Sequence, residues 1–354
     1  MDHVLLWAPN PAGHRLYYIG LLARHATLLG LSVTIATQHS AEFEENAELH
    51  LASLGPAVQY LFVSDTSLAG IQEAARRTRA TLVLAPDGDQ VAWDILRSGR
   101  WKSDVPIRLL VMRPSGQSGV RTRKFTSSIV KLAARNTLSL FPRVSVFTLA
   151  SSLTPTSPKG TAPDPVSSSS TEKSSREFRL KHGLTKERYW FAVVGALDER
   201  KNVAMVADAI SRLGQPAGLM FIGKMSPEVR AQSDQFFERL RECKVGVITI
   251  DRLLTNDEVD DAIHAADCVV LAHSNEGSSG VLGKAAASGT RVIASGARSL
   301  RKDSAYAPAL CAWVPLKVDR IAAEAAAAMT KTRPAALQLD SDQFAASLLG
   351  PKKR

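Results

Sequence analysis

Cysteine is scarce in this chain. Its 354 residues hold three, Cys243, Cys268 and Cys311, far apart and without metal-ligand spacing. That excludes a disulfide framework and fits a reducing cytosol. No apolar run approaches the roughly 20 residues that span a bilayer. The start, Met1-Asp2-His3 running into Val4-Leu5-Leu6-Trp7, is too short and too acidic for a signal peptide. No G-x-G-x-x-G follows the first apolar run, and G-x-x-x-x-G-K-[ST] is absent, so nicotinamide and P-loop chemistry lack their phosphate cradles. Acidic residues are missing from Val105 to Pro163, where nine basic ones stand, among them Arg108, Arg121, Arg123, Lys124 and Arg143. Aromatics do not interleave with those cations and no recognition motif accompanies them, which argues against nucleic acid.

What is present is ordinary for a globular α/β protein: 45% hydrophobic, 22% charged, with a net charge of +10. A chain of this length exceeds what one core usually serves, so two domains are expected. Short apolar runs at 3–8, 32–37, 58–63, 81–85, 107–112 and 144–149 alternate with helical segments at 14–29, 40–52, 67–79, 89–99 and 119–136. That order predicts a parallel, doubly wound sheet over residues 1–150. The first strand-to-helix turn holds Gly13 and His14, where a ligand can approach backbone closely. Asp87-Gly88-Asp89 spells D-x-D, but its place between a strand and a helix reads better as a turn with an N-cap than as a metal site. Within the basic stretch 108–143, Phe125, Ile129, Leu132 and Ala133 fall at helical spacing. Such a helix either lies on an anionic membrane surface or packs on the sheet with its cations in water.

Residues 151–175 are rich in Ser and Pro and read as a linker. A second alternating series occupies 176–335, with strands at Tyr189–Val194, Gly218–Ile222 and Gly246–Ile250 and helices at 202–213, 226–242 and 255–265. Its centre is Cys268 to Ser295, where strand, polar turn, small-residue helix, Gly289 and strand make one βαβ unit. Such turns, at the carboxyl ends of strands and the N-termini of helices, are where open α/β sheets bind ligands. Residues 336–354 are expected to form a C-terminal helix and a basic tail.

Several turns of this second half match one family in residue type and spacing. Gly195-Ala196-Leu197-Asp198-Glu199-Arg200-Lys201 stands for G-R-L-x-x-x-K, and Phe221-Ile222-Gly223-Lys224 for a V-G-x-G strand end. Ala266 to His273 stands for A-D-x-x-V-x-P-S. Glu276-Gly277 through Ser295 stands for E-G-F-G-x-x-x-x-E-A-M-A-x-G-x-P-V-V-A-S. Residues 172–300 thus resemble the donor-binding domain of retaining GT-B glycosyltransferases, the glycosyl transferases group 1 family (family 4).

The resemblance implies two Rossmann-like domains facing across a cleft, a nucleotide-diphosphate sugar on the second and an acceptor on the first. It implies no metal and no bound cofactor. Glu276 would contact sugar hydroxyls, and Lys201 and the turn Gly277-Ser278-Ser279-Gly280 would hold the diphosphate, making Glu276 and Lys201 the catalytic pair. Gly195, Arg200, Gly223, Lys224 and Lys284 would complete the donor site, and Gly13 and His14 would face the acceptor. The enzyme would be cytoplasmic, or peripheral at the inner membrane face through the 108–143 stretch.

Two departures stand out. Ala196 replaces a family Arg, and Lys284 replaces the second Glu of the pair, which accepts from ribose hydroxyls. An ammonium has only donors. A GT-B protein that binds a sugar nucleotide or a partner enzyme as a regulator or scaffold is the alternative function.

Overall fold

The computed structural model describes residues 2–10, 15–111, 137–138, 140–154, 159–214, 216–277 and 279–350. Gly13, His14, Ser278, the segment expected as a helix at 119–136 and the basic tail lie outside the described residues. The chain divides into two compact units. One contains residues 1–150, 156–165 and 341–354; the other contains 151–155 and 166–340.

The first unit is built on a parallel seven-stranded sheet: β1 (His3–Trp7), β2 (Ser32–Thr37), β3 (Val58–Phe62), β4 (Leu82–Ala85), β5 (Ile107–Val111), β6 (Val144–Ala150) and β7 (Thr161–Pro163). Their spatial order is β3-β2-β1-β4-β5-β6-β7. Helices α1 (Arg15–Leu28), α2 (Ala41–Leu51), α3 (Leu68–Thr78) and α4 (Asp89–Ser98) provide the crossovers. Side chains alternate along each strand. Val4 and Leu6 therefore enter one core and Leu5 and Trp7 the other.

The second unit has six parallel strands: β8 (Tyr189–Val194), β9 (Ala217–Ile222), β10 (Gly246–Ile250), β11 (Cys268–His273), β12 (Arg291–Gly296) and β13 (Cys311–Val314). They lie in the order β10-β9-β8-β11-β12-β13. Every residue of β9 is buried, as expected of a strand covered on both faces, which reads as a continuous apolar run. The helices are α5 (Glu172–Lys181), α6 (Val203–Ser211), α7 (Pro227–Glu242), α8 (Asn256–Ala265), α9 (Gly280–Ala287), α10 (Arg298–Ser304) and α11 (Val318–Ala328). Trp190, Ala192 and Val194 face one core and Phe191 and Val193 the other.

Two stretches are organised differently from the sequence expectation. Residues 151–175 are more than a linker. They contain β7, which pairs with β6, and they begin α5, capped by the Thr171 side chain on the Ser174 N–H. The last helix, α12 (Asp342–Leu349), belongs to the first unit. Its Phe344 is fully buried and packs 5.1 Å from the Tyr18 ring, and Gly350 O lies 2.9 Å from His25 Nε2. Deleting a buried ring of this kind costs about 3–5 kcal/mol in typical cores.

Each sheet reverses its strand order once, between β1 and β4 in the first unit and between β8 and β11 in the second. Crevices at the carboxyl ends of such strand pairs are the ligand sites of open α/β sheets. Among the described residues no helix is long and apolar enough to cross a membrane.

Candidate functional site

At the reversal point of the second unit, the turn after β8 is held open by two glycines. Gly195 has φ +94° and Gly223, at the end of β9, has φ +126°. A Cβ on Gly223 would lie 2.3 Å from Gly195 O, and one on Gly195 would lie 2.8 Å from Lys201 Nζ. The Gly195 carbonyl after β8 and the ammonium of Lys201 therefore occupy space that a side chain would fill. Gly223→Ala combines a strained φ with a backbone clash. It is expected to destabilise the second unit by ~3 kcal/mol or more, read as a lower urea midpoint with unchanged m-value. A midpoint within error of wild type would contradict this account.

Lys201 closes a single 3-10 turn, Glu199–Lys201, which starts when Asp198 Oδ1 accepts from the Arg200 N–H at 3.1 Å. The ammonium donates to Val194 O, the last carbonyl of β8. Among the described residues it forms no ion pair, because Asp198 is taken by the Arg200 guanidinium. Burial, opposed by Asp198 and reinforced by Arg200, lowers the Lys201 pKa to about 8. Asn202 follows in the left-handed region at φ 47° and donates from Nδ2 to Ala272 O at 2.7 Å. Ser274 N donates to Arg200 O at 2.9 Å. These bonds tie the Lys201 turn to the end of β11. Helix α6 begins directly afterwards with no side-chain cap on its N-terminus, so its first N–H groups add positive potential.

Across the same strand pair, Glu276 is a cap, though not of the helix it precedes. Its Oε1 accepts from the Arg298 N–H at 3.1 Å and its Oε2 from the Ser299 N–H at 2.9 Å, at the start of α10. Gly277 N donates to Ser299 Oγ at 3.2 Å. The next helix, α9, is capped by Ser279, whose hydroxyl accepts from the Leu282 N–H at 3.3 Å. A carboxylate offers about four lone-pair directions. Two bonds orient Glu276 while leaving it able to accept hydroxyl protons.

The remaining expected residues divide. Arg200 is held by Asp198 beside Lys201. Lys224 is exposed, and its carbonyl accepts from Leu197 N at 2.9 Å. Lys284 turns to α8. It pairs with Asp260 and donates to Ser167 O at 3.2 Å, its side chain 19% exposed and that of Asp260 3%. Asp260 also accepts from Ser169 N at 2.9 Å. Lys284 thus secures the 167–169 segment against α8.

In the first unit, Asp87 pairs with Arg15 at the β1/β4 reversal. Gly88, and neither Asp87 nor Asp89, occupies the N-cap position of α4.

Sequence reasoning passed over His273, the last residue of β11. Its Nε2 is buried and has no hydrogen-bond partner among the described residues. The one available signal was a titratable residue closing an apolar run at a ligand-binding strand end.

Residues 188–328 match the model of the family described as glycosyl transferases group 1. Comparison with curated protein sequences gives no match. Among solved structures, HepE from Anabaena in complex with UDP is similar at 12% identity and TM-score 0.68, over 98% of this chain and 93% of that one. A glycosyltransferase from Rickettsia africae is similar at 10% identity and TM-score 0.68, over 99% and 94%. A Listeria monocytogenes protein named as a putative UDP-N-acetylglucosamine 2-epimerase is similar at 12% and 0.57, over 98% and 93%. At such identities the likeness establishes the fold, which is the GT-B pairing of two parallel-sheet α/β domains.

Proposed function

We propose that this chain is a glycosyltransferase that moves a sugar from a nucleotide-diphosphate donor to an acceptor with retention at the anomeric carbon. The observation that carries the reading is the juxtaposition at the β8/β11 reversal. An ammonium that forms no ion pair among the described residues lies under the Gly195 turn, and the oriented carboxylate of Glu276 lies after β11. Breaking the bond from the anomeric carbon to the phosphate oxygen leaves the electron pair on the diphosphate. Lys201 and the open N-terminus of α6 stabilise that charge as it builds, lowering the barrier. Glu276 accepts from sugar hydroxyls and fixes the ring. The family match over 188–328 and the UDP bound by HepE support a uridine nucleotide as the donor's leaving group.

The fold alone does not choose this chemistry, since a protein named as an epimerase of a sugar nucleotide shares it. The choice rests on the family match and on the Lys201–Glu276 pair. A second reading, a sugar-nucleotide-binding regulator, is favoured by one observation: Lys284 is committed to Asp260, so the ribose lacks a carboxylate at that position.

Thermal shift across nucleoside diphosphates, followed by turnover with a panel of nucleotide sugars, tests both. UDP is expected to raise the melting temperature. Glu276→Ala removes acceptor bonds to the sugar worth about 1.5–3 kcal/mol, so turnover should fall about 10- to 150-fold. The lost cap of α10 should separately cost ~1 kcal/mol of stability. Tight binding without turnover of any donor would favour the regulator, and no stabilisation by any nucleotide would sink the donor site itself.

A further inference from the structure

His273 closes β11 with a buried ring nitrogen that no described residue satisfies, although buried polar groups are ordinarily paired. Its neighbours place it beside the diphosphate machinery. The residue before it, Ala272, accepts from Asn202 Nδ2, and the residue after it, Ser274, donates to Arg200 O. The charged groups acting on the ring are Lys201 and Arg200, with Asp198 opposing them. Glu276, three residues on, has both carboxylate oxygens turned to the N–H groups of α10. Burial first, then the two cations, push the imidazole pKa down to about 4. The ring is therefore neutral at physiological pH, and its Nε2 has no partner among the described residues.

We propose that His273 is a further ligand contact of this site, its Nε2 taking up a proton from solvent and donating it as a hydrogen bond to the diphosphate when a nucleotide binds beside Lys201. The proposal rests on the donor-site reading above. A bound diphosphate brings additional negative charge beside the ring, and an opposite charge within a few ångströms favours the protonated ring. The imidazolium carries N–H on both nitrogens and adds a cation to a turn where Ala196 offers none. Binding and protonation reinforce each other. Affinity should then rise as pH falls through the interval between the pKa of the free ring and that of the bound ring, by at most tenfold per pH unit.

The test is calorimetry with UDP at pH 6 and pH 8, in pairs of buffers that differ in ionisation enthalpy, on wild type and His273→Gln. UDP's own phosphate titration is common to both proteins, so the difference between them isolates the ring. Wild type is expected to take up ~0.5–1 more proton than the variant at pH 6 and to show the steeper pH dependence of affinity. His273→Ser serves if the glutamine variant fails to fold, with thermal unfolding as the check. Equal proton uptake and parallel pH profiles would overturn the role of His273 while leaving the donor site standing. Failure of wild type to bind UDP or any other nucleoside diphosphate would overturn the donor site and this inference together.

Discussion

Lys284→Glu, the substitution that restores the family residue, is expected to destabilise the second unit strongly instead of improving activity. Asp260 is 3% exposed, and Lys284 is its ion-pair partner. Removing one member of a buried pair costs about 3–5 kcal/mol because the other charge stays behind in a poorly solvating interior. Glutamate goes further, placing a second carboxylate where the ammonium was, so the cost should reach the upper end of that range or exceed it. Against a typical total stability of about 5–15 kcal/mol, that removes much of the margin. The contacts at risk are Asp260 with Ser169 and Lys284 with Ser167 O, which hold the chain against α8 just before α5 begins. Chemical denaturation and limited proteolysis should report a destabilised unit opening first near 166–171. Exchanging the charges, Lys284→Glu with Asp260→Lys, should recover part of the loss. A Lys284→Glu protein as stable as wild type, with raised turnover, would mean that the Asp260 pair contributes nothing and that position 284 faces the nucleotide.

That pair illustrates which features were legible in the sequence. Strands buried on both faces read as unbroken apolar runs, so β8, β9 and β11 could be found from Tyr189–Val194, Gly218–Ile222 and the run Val269–Leu271 that opens the Cys268–Ser295 unit, with small errors at their ends. β7 was hidden because it is a three-residue edge strand, Thr161–Pro163, with one core side chain, Ala162, inside a Ser/Pro-rich stretch. Four-residue β13 and seven-residue α10 are too short to establish a period. The turns that carry Glu276 and Lys201 were legible because they follow strands directly, and the family resemblance singled out the two residues within them. Their partners were not. Glu276 caps a helix 22 residues on, Lys284 meets Asp260 24 residues back, and the Lys201 ammonium rests on a carbonyl. Hydrophobic periodicity says which face of an element is buried. It carries no record of which polar groups meet once the elements are assembled, and the function of this site depends on those meetings.

Lys201→Met is expected to make the protein more stable and less active at once. Burial lowers the ammonium pKa from 10.5 to about 8, so the folded state holds this proton less strongly than the unfolded chain does. A difference of that size corresponds to about 3 kcal/mol at 1.36 kcal/mol per unit. The side chain keeps some solvent exposure, and its bond to Val194 O is lost in the variant, so a net gain of about 1–2 kcal/mol is the firmer expectation. The pH dependence follows from the sign. Below about pH 8 the lysine is charged in both states and its full cost is present. Between about 8 and 10.5 the unfolded chain binds more protons, so wild-type stability rises with pH and the advantage of methionine shrinks. Above that range the advantage should vanish. Turnover should fall about 10²- to 10³-fold, the usual loss when one charge-stabilising group is removed from a reacting centre. UDP, expected to raise the wild-type melting temperature, should have little effect on the variant. A cation that costs the fold stability and forms no ion pair among the described residues gains from a bound anion. Should Lys201→Met prove less stable than wild type at pH 7 while turning over normally, Lys201 would be only a brace on the end of β8.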